Sequence, residues 1–101
     1  MELNELIDRV SYIRIRTNLS ARKLSRLIGK TDGYIHHLEQ SRKFAPTFET
    51  LMDILEVCNC APAEFFYYSV AAYKQDREII EFLKSTTAER KAIALEMLKV
   101  K

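Results

Sequence analysis

The sequence predicts an all-α protein, and three observations carry that reading. Apolar residues return every three or four positions along most of the chain. No stretch alternates apolar and polar residues as a half-buried strand would. Only two glycines and two prolines occur in 101 residues, too few for the turns of a β-fold. A chain of this length forms one small domain, or a domain with a short appendage. It buries only roughly 60–65% of its unfolded surface, so a second copy would help it. With 48% hydrophobic and 30% charged residues it is a folding chain rather than a disordered one.

Each element follows from local chemistry. Leu3, Leu6, Ile7, Val10 and Ile13 share one helical face, predicting a first helix near residues 3–17. Arg14 continues that apolar stripe, four residues after Val10. Asn18 and Leu19 break the helix, and Ser20 is placed to cap the next one. That second helix is short: Leu24, Leu27 and Ile28 point inward, and Gly29 supplies a left-handed stop. Thr31 is the predicted cap of a third helix over residues 32–41, with Ile35, Leu38 and Glu39 on its inner face. Gly33, His37 and Gln40 lie opposite, with His36 on the flank and Asp32 at the exposed start.

Phe44-Ala45-Pro46 reads as a loop. Thr47 caps a fourth helix whose stripe is Phe48, Leu51, Ile54, Leu55 and Cys58, with Glu49 in its first turn. Asn59 ends it, and Pro62 opens a short fifth helix, where a missing amide does no harm. Beyond Phe66 the texture changes. Tyr67, Tyr68, Val70 and Tyr73 lead into a helix ending at Ser85. Thr86 and Glu89 form a capping box for a last helix reaching about Lys99. This pair reads as a helical hairpin over residues 69–101, appended to a five-helix unit over residues 1–68.

The net charge of +2 conceals an asymmetry. Arg14 to Lys43 holds eight basic and two acidic residues, whereas Phe44 to Tyr73 holds four acidic residues and no Lys or Arg. One end is positive, and a phosphate polymer is its natural partner, against the alternative of a plain solvated face. Cys58 and Cys60, the only cysteines, stand too close together for a zinc pair and read as small apolar core residues. The acidic opening is unlike a signal peptide, and no apolar run reaches the ~18–20 residues that span a bilayer. A soluble cytoplasmic protein without a membrane partner is expected.

The stretch from Asn18 to Phe66, NLSARKLSRLIGKTDGYIHHLEQSRKFAPTFETLMDILEVCNCAPAEFF, resembles the lambda-repressor-like (Cro/cI-type, XRE) helix-turn-helix domains. Its most specific parts are Leu19-Ser20, Leu24, Ile28-Gly29, Thr31, Tyr34-Ile35, Leu38-Glu39, Pro46-Thr47 and the closing Cys60 to Phe66. The first helix extends the match back to about Val10. The resemblance implies that the third helix enters the DNA major groove. Asp32, Gly33 and His37 would then read bases, with His36 and Gln40 beside them. Thr31, Arg22, Lys23, Arg42 and Lys43 would meet phosphates. It also implies a buried ion pair between Arg14 and Glu39, in agreement with their places on apolar stripes. Against the family pattern, Ser25 replaces alanine, Ser41 replaces glycine and Lys30 replaces an aliphatic residue. Gly33 brings no side chain to a reading position and Asp32 brings an acid, which suits either cytosine contact or a weakened reader.

Adjacent helical residues diverge by ~100°, so His36 and His37 cannot share one metal ion, and no third histidine exists. No cofactor is expected, and no nucleophile–base arrangement marks an enzyme. The leading expectation is a sequence-specific double-stranded DNA-binding transcriptional regulator, a repressor, without an effector that the sequence names. The alternative is a protein-interaction module or antitoxin-like modulator on the same scaffold. Ile79, Ile80, Phe82, Leu83, Ile93, Met97 and Leu98 exceed what two facing helices hide, so the hairpin is expected to form a homodimer.

Overall fold

The computed structural model describes residues 1–67 and 69–85, the last three by their backbone alone. Among these residues the structure is helical, without a strand. The helices are α1 (Leu3–Arg16), α2 (Ala21–Leu27), α3 (Tyr34–Ser41), α4 (Phe48–Val57), α5 (Pro62–Phe65) and α6 (Val70–Ser85). The chain divides into two units, Met1–Phe66 and Tyr67–Lys101.

The first unit wraps α1–α5 around one core. Ile7, Val10 and Ile13 of α1, Leu24 of α2, Ile35 and Leu38 of α3, Ile54 of α4 and Phe65 of α5 are completely buried. Each such side chain contributes roughly 1.5–3 kcal/mol by leaving water. Cys58 and Cys60 are buried, reduced members of the same core. Burial pushes the Cys60 thiol up to about 12, assisted by the neighbouring Glu64 carboxylate. A thiol held protonated in this way is not a ready nucleophile.

The helix ends follow the backbone's need for partners. The Ser20 hydroxyl accepts from the Lys23 amide at 3.0 Å, and Thr47 accepts from the Thr50 amide at 3.2 Å. Three helices end in one motif. After α1, α2 and α4 the chain turns left-handed at Asn18 (φ 59°), Gly29 (φ 74°) and Asn59 (φ 51°). In each case the following amide, from Leu19, Lys30 or Cys60, reaches back to the carbonyl of Arg14, Ser25 or Leu55. Asparagine and glycine tolerate this conformation, and the orphan carbonyls gain donors.

Three expectations are corrected. The third helix begins at Tyr34, not at residue 32, and Thr31 does not cap it. Instead the Tyr34 amide closes a turn on the Thr31 carbonyl, and Gly33 accepts the first helical bond, from His37. Phe48, placed on the inner stripe of α4, is 74% exposed. It is the first residue of its helix, and helical side chains lean toward the N-terminus, here past the packed layers. Leu27, read as inward, is 49% exposed at the last position of α2. There it lines a shallow groove with Ile28, Val57, Asp53 and Glu56.

In the second unit, α6 occupies the first arm of the expected hairpin. The Tyr67 hydroxyl donates to Asp76 at 2.7 Å, and the Tyr67 ring meets Tyr73 edge-on. Ile80 and Phe82 are exposed and Ile79 is half-buried, while Leu83 is placed by its backbone. Ile93, Met97, Leu98 and the Thr86 capping box lie outside the described residues.

Candidate nucleic-acid interface

The site is built on the packing of α2 against α3. Leu24 of α2 and Ile35 of α3 are fully buried, and one buried hydroxyl fixes the register between their helices. Ser25, completely buried, donates to the Ala21 carbonyl at 2.7 Å and accepts from the Ile35 amide at 3.0 Å. The Ile35 amide belongs to the first turn of α3 and has no partner inside the helix. With Gly33 in the cap position there is no side-chain cap within α3 itself. Ser25 therefore caps α3 from the neighbouring helix. The sequence signal for this role was its polarity at a position where the family carries alanine.

A second bond set anchors α3 to α1. Arg14 Nε donates to Glu39 Oε2 at 2.9 Å, and its Nη2 donates to Oε1 at 2.8 Å. Its remaining nitrogen, Nη1, donates to the Leu19 carbonyl at 2.9 Å. The two side chains are only 16% and 12% exposed. This fork geometry matches the planar guanidinium to the carboxylate and offsets the loss of water around both charges. No buried side-chain polar atom among the described residues lacks a partner.

The outer surface of this assembly carries His36, His37 and Gln40 of α3, and Thr31, Asp32 and Gly33 of the preceding turn, all exposed. The expected readers thus fall into two groups. His36, His37 and Gln40 stand on the helix, whereas Asp32 and Gly33 precede it. His37 is not a freely swinging side chain: its ring stacks on Phe44 with centroids 5.2 Å apart and planes 30° apart. Phe44 also meets Tyr34 edge-on at 6.1 Å, and the Lys30 ammonium lies 5.4 Å from the Tyr34 ring centre. The loop after α3 folds back over the helix through these contacts.

Asp32 gathers two arginines of α2. Arg26 donates through Nε to Oδ1 at 2.8 Å and through Nη2 to Oδ2 at 3.1 Å. Arg22 donates through Nε to Oδ2 at 3.1 Å. The Arg26 hydrogen bond, aided by the charges of both arginines, holds the Asp32 carboxyl below its ordinary range. Asp32 in turn pushes the Arg26 guanidinium up. Arg26 was absent from the sequence-derived site, although its spacing of four from Arg22 puts both on one face of α2.

Among the expected phosphate ligands, Lys23 and Lys43 are exposed at their side chains, and Arg22 is engaged by Asp32. Arg42 is turned the other way. It follows α3 in the left-handed conformation (φ 56°) and donates to the Glu39 carbonyl at 3.2 Å. It also donates to Asp8 of α1 at 2.7 Å. An arginine near a helix C-terminus satisfies the last carbonyls in this way. Among the described residues no group of His, Cys, Asp or Glu is arranged to hold a metal ion. No helix among them is long and apolar enough to cross a membrane.

Two short helices locked across a tight turn, the second presenting an exposed polar face beside basic residues, define a helix-turn-helix protein. Residues 10–65 match the helix-turn-helix family model HTH_3, and since the match covers more than half of the chain, the protein belongs to that family. The family is that of lambda-repressor-like, XRE-type DNA-binding regulators, which are generally not enzymes. No curated protein and no solved structure gives a significant match.

Proposed function

We propose that the protein is a sequence-selective regulator of transcription, a repressor, that reads duplex DNA with α3. The observation that carries this reading is the α2–α3 pair held rigid from behind while its outer face stays open. Ser25 and the Arg14–Glu39 pair fix the backbone of α3. His36, His37 and Gln40 remain accessible on it. A rigid helix with exposed hydrogen-bonding side chains suits the major groove, whose base edges present a distinct donor and acceptor pattern. Lys23 and Lys43 would add sequence-independent phosphate contacts. Arg42, committed to Asp8 and to its own helix end, is a weaker phosphate ligand than its position suggests.

Selective reading by so small a surface calls for two copies, because half-sites one turn apart supply the missing base contacts. Ile80 and Phe82 of α6, exposed at 48% and 55%, support a homodimer formed through residues 69–101. Fluorescence anisotropy against duplex DNA at several salt concentrations tests the proposal. Lys43→Ala is expected to weaken binding to all sequences alike and flatten the salt slope by about 0.9. His37→Ala and Gln40→Ala are expected to change the preference among sequences. Identical behaviour of the two classes would remove α3 from the reading role. Sedimentation of the full chain, expected to give a dimer, tests the assembly.

A further inference from the structure

Arg22 and Arg26 point their guanidiniums at one exposed anionic group, which is a carboxylate of the same chain. Arg22, Arg26 and Asp32 are 66%, 53% and 50% exposed, so the cluster stands in water at the edge of the α2–α3 surface. Arg26 grips Asp32 with both Nε and Nη2, and Arg22 adds Nε at 3.1 Å. Two arginines converging on one small anion is the arrangement by which proteins hold phosphate, whose oxygens match the guanidinium fork. An exposed ion pair of this kind contributes little to stability. The fold is held instead by the core, by Ser25 and by Arg14–Glu39, so stability does not account for three charges brought together here.

We infer that Arg22 and Arg26 form a phosphate site for the DNA backbone, which Asp32 fills in the free protein as an internal competitor. The inference rests on the DNA-binding reading above. To engage a phosphodiester, the two arginines release the Asp32 carboxylate, whose charge then stands near the DNA. Sequence-independent attachment is thereby weakened, while contacts made by α3 to base edges are left untouched. The acid raises the share of affinity that depends on sequence.

Mere repulsion between Asp32 and DNA would also weaken binding, so the test must separate the two. Asp32→Asn keeps the shape and removes the charge. It is compared with wild type, with the double variant Arg22→Gln/Arg26→Gln, and with the triple variant. Circular dichroism confirms folding, and binding to a random-sequence duplex is measured from ~50 to ~200 mM salt. Asp32→Asn is expected to bind this duplex roughly tenfold tighter at the lower salt. Its salt slope should steepen by about 0.9 for each phosphate newly engaged. In the double-variant background the same substitution should leave the slope unchanged and alter affinity much less. An equal increase in both backgrounds would mean repulsion alone and would overturn the inference. Unchanged or weaker binding of Asp32→Asn would overturn it as well. If wild type and every variant fail to bind any duplex, the DNA-binding reading itself falls, and this inference falls with it.

Discussion

Glu39 and Asp32 each gather arginine nitrogens into short hydrogen bonds, yet the two clusters do different work. Glu39 faces α1 from the inner side of α3, and its pair with Arg14 is nearly out of water. Asp32 lies just ahead of α3, and its two arginines remain solvated. At comparable distances, from 2.8 to 3.1 Å, the surrounding medium decides the consequence. Charges removed from water depend on each other, because neither can be rehydrated when its partner is lost. Solvated charges exchange one partner for water or for a phosphate at little loss. The inner cluster is therefore structural, and the outer one is free to serve binding.

The sharpest way to break this contrast is to remove half of the inner pair. Arg14→Met and Glu39→Met are each expected to lower stability by ~3–5 kcal/mol, measured by urea denaturation. The double replacement should recover much of that loss, since no buried charge then stands alone. Two single variants as stable as wild type would show that the pair is effectively solvated.

A smaller effect is expected where a neutral group serves the same helix. Ser25→Ala would leave the Ile35 amide buried without an acceptor, at a loss of about 1–2 kcal/mol. Hydrogen exchange at that amide should quicken more than exchange in α4. A variant with unaltered exchange and stability would transfer the capping of α3 to some other group.

The least effect on folding is expected at the outer cluster. A carboxylate held below its usual range stabilises the fold at pH values above its unfolded value, and that stabilisation fades as pH falls through the folded value. Asp32 has this sign, chiefly through Arg26. Because the group is exposed, Asp32→Asn should melt with wild type near neutral pH. The two melting curves should also shift together from about pH 5 to about pH 2. A wild type more stable than Asp32→Asn near neutral pH, by a gap that closes as acid protonates the carboxylate, would give Asp32 a structural role and erase the contrast with Glu39.

The sequence by itself determined most of the helix ends, because these are settled within a few residues. Ser20, Thr47 and Pro62 open helices, while Asn18, Gly29 and Asn59 close them, through bonds that span no more than five positions. The partnership of Arg14 and Glu39 is implied by the resemblance of the sequence to lambda-repressor-like domains, in agreement with the place of each charge on an apolar stripe, where a buried charge needs an opposite one. Tertiary structure alone decided where the stripes end in space. It left Phe48 and Leu27 exposed, because periodicity defines a face but not which of its turns are covered. It drew Asp32 to arginines six and ten residues earlier, made Ser25 the cap of another helix, and turned Arg42 toward Asp8. Those bonds join side chains from different elements. Their partners depend on how the helices cross, and a pattern read along one helix carries no measure of the distance to the next.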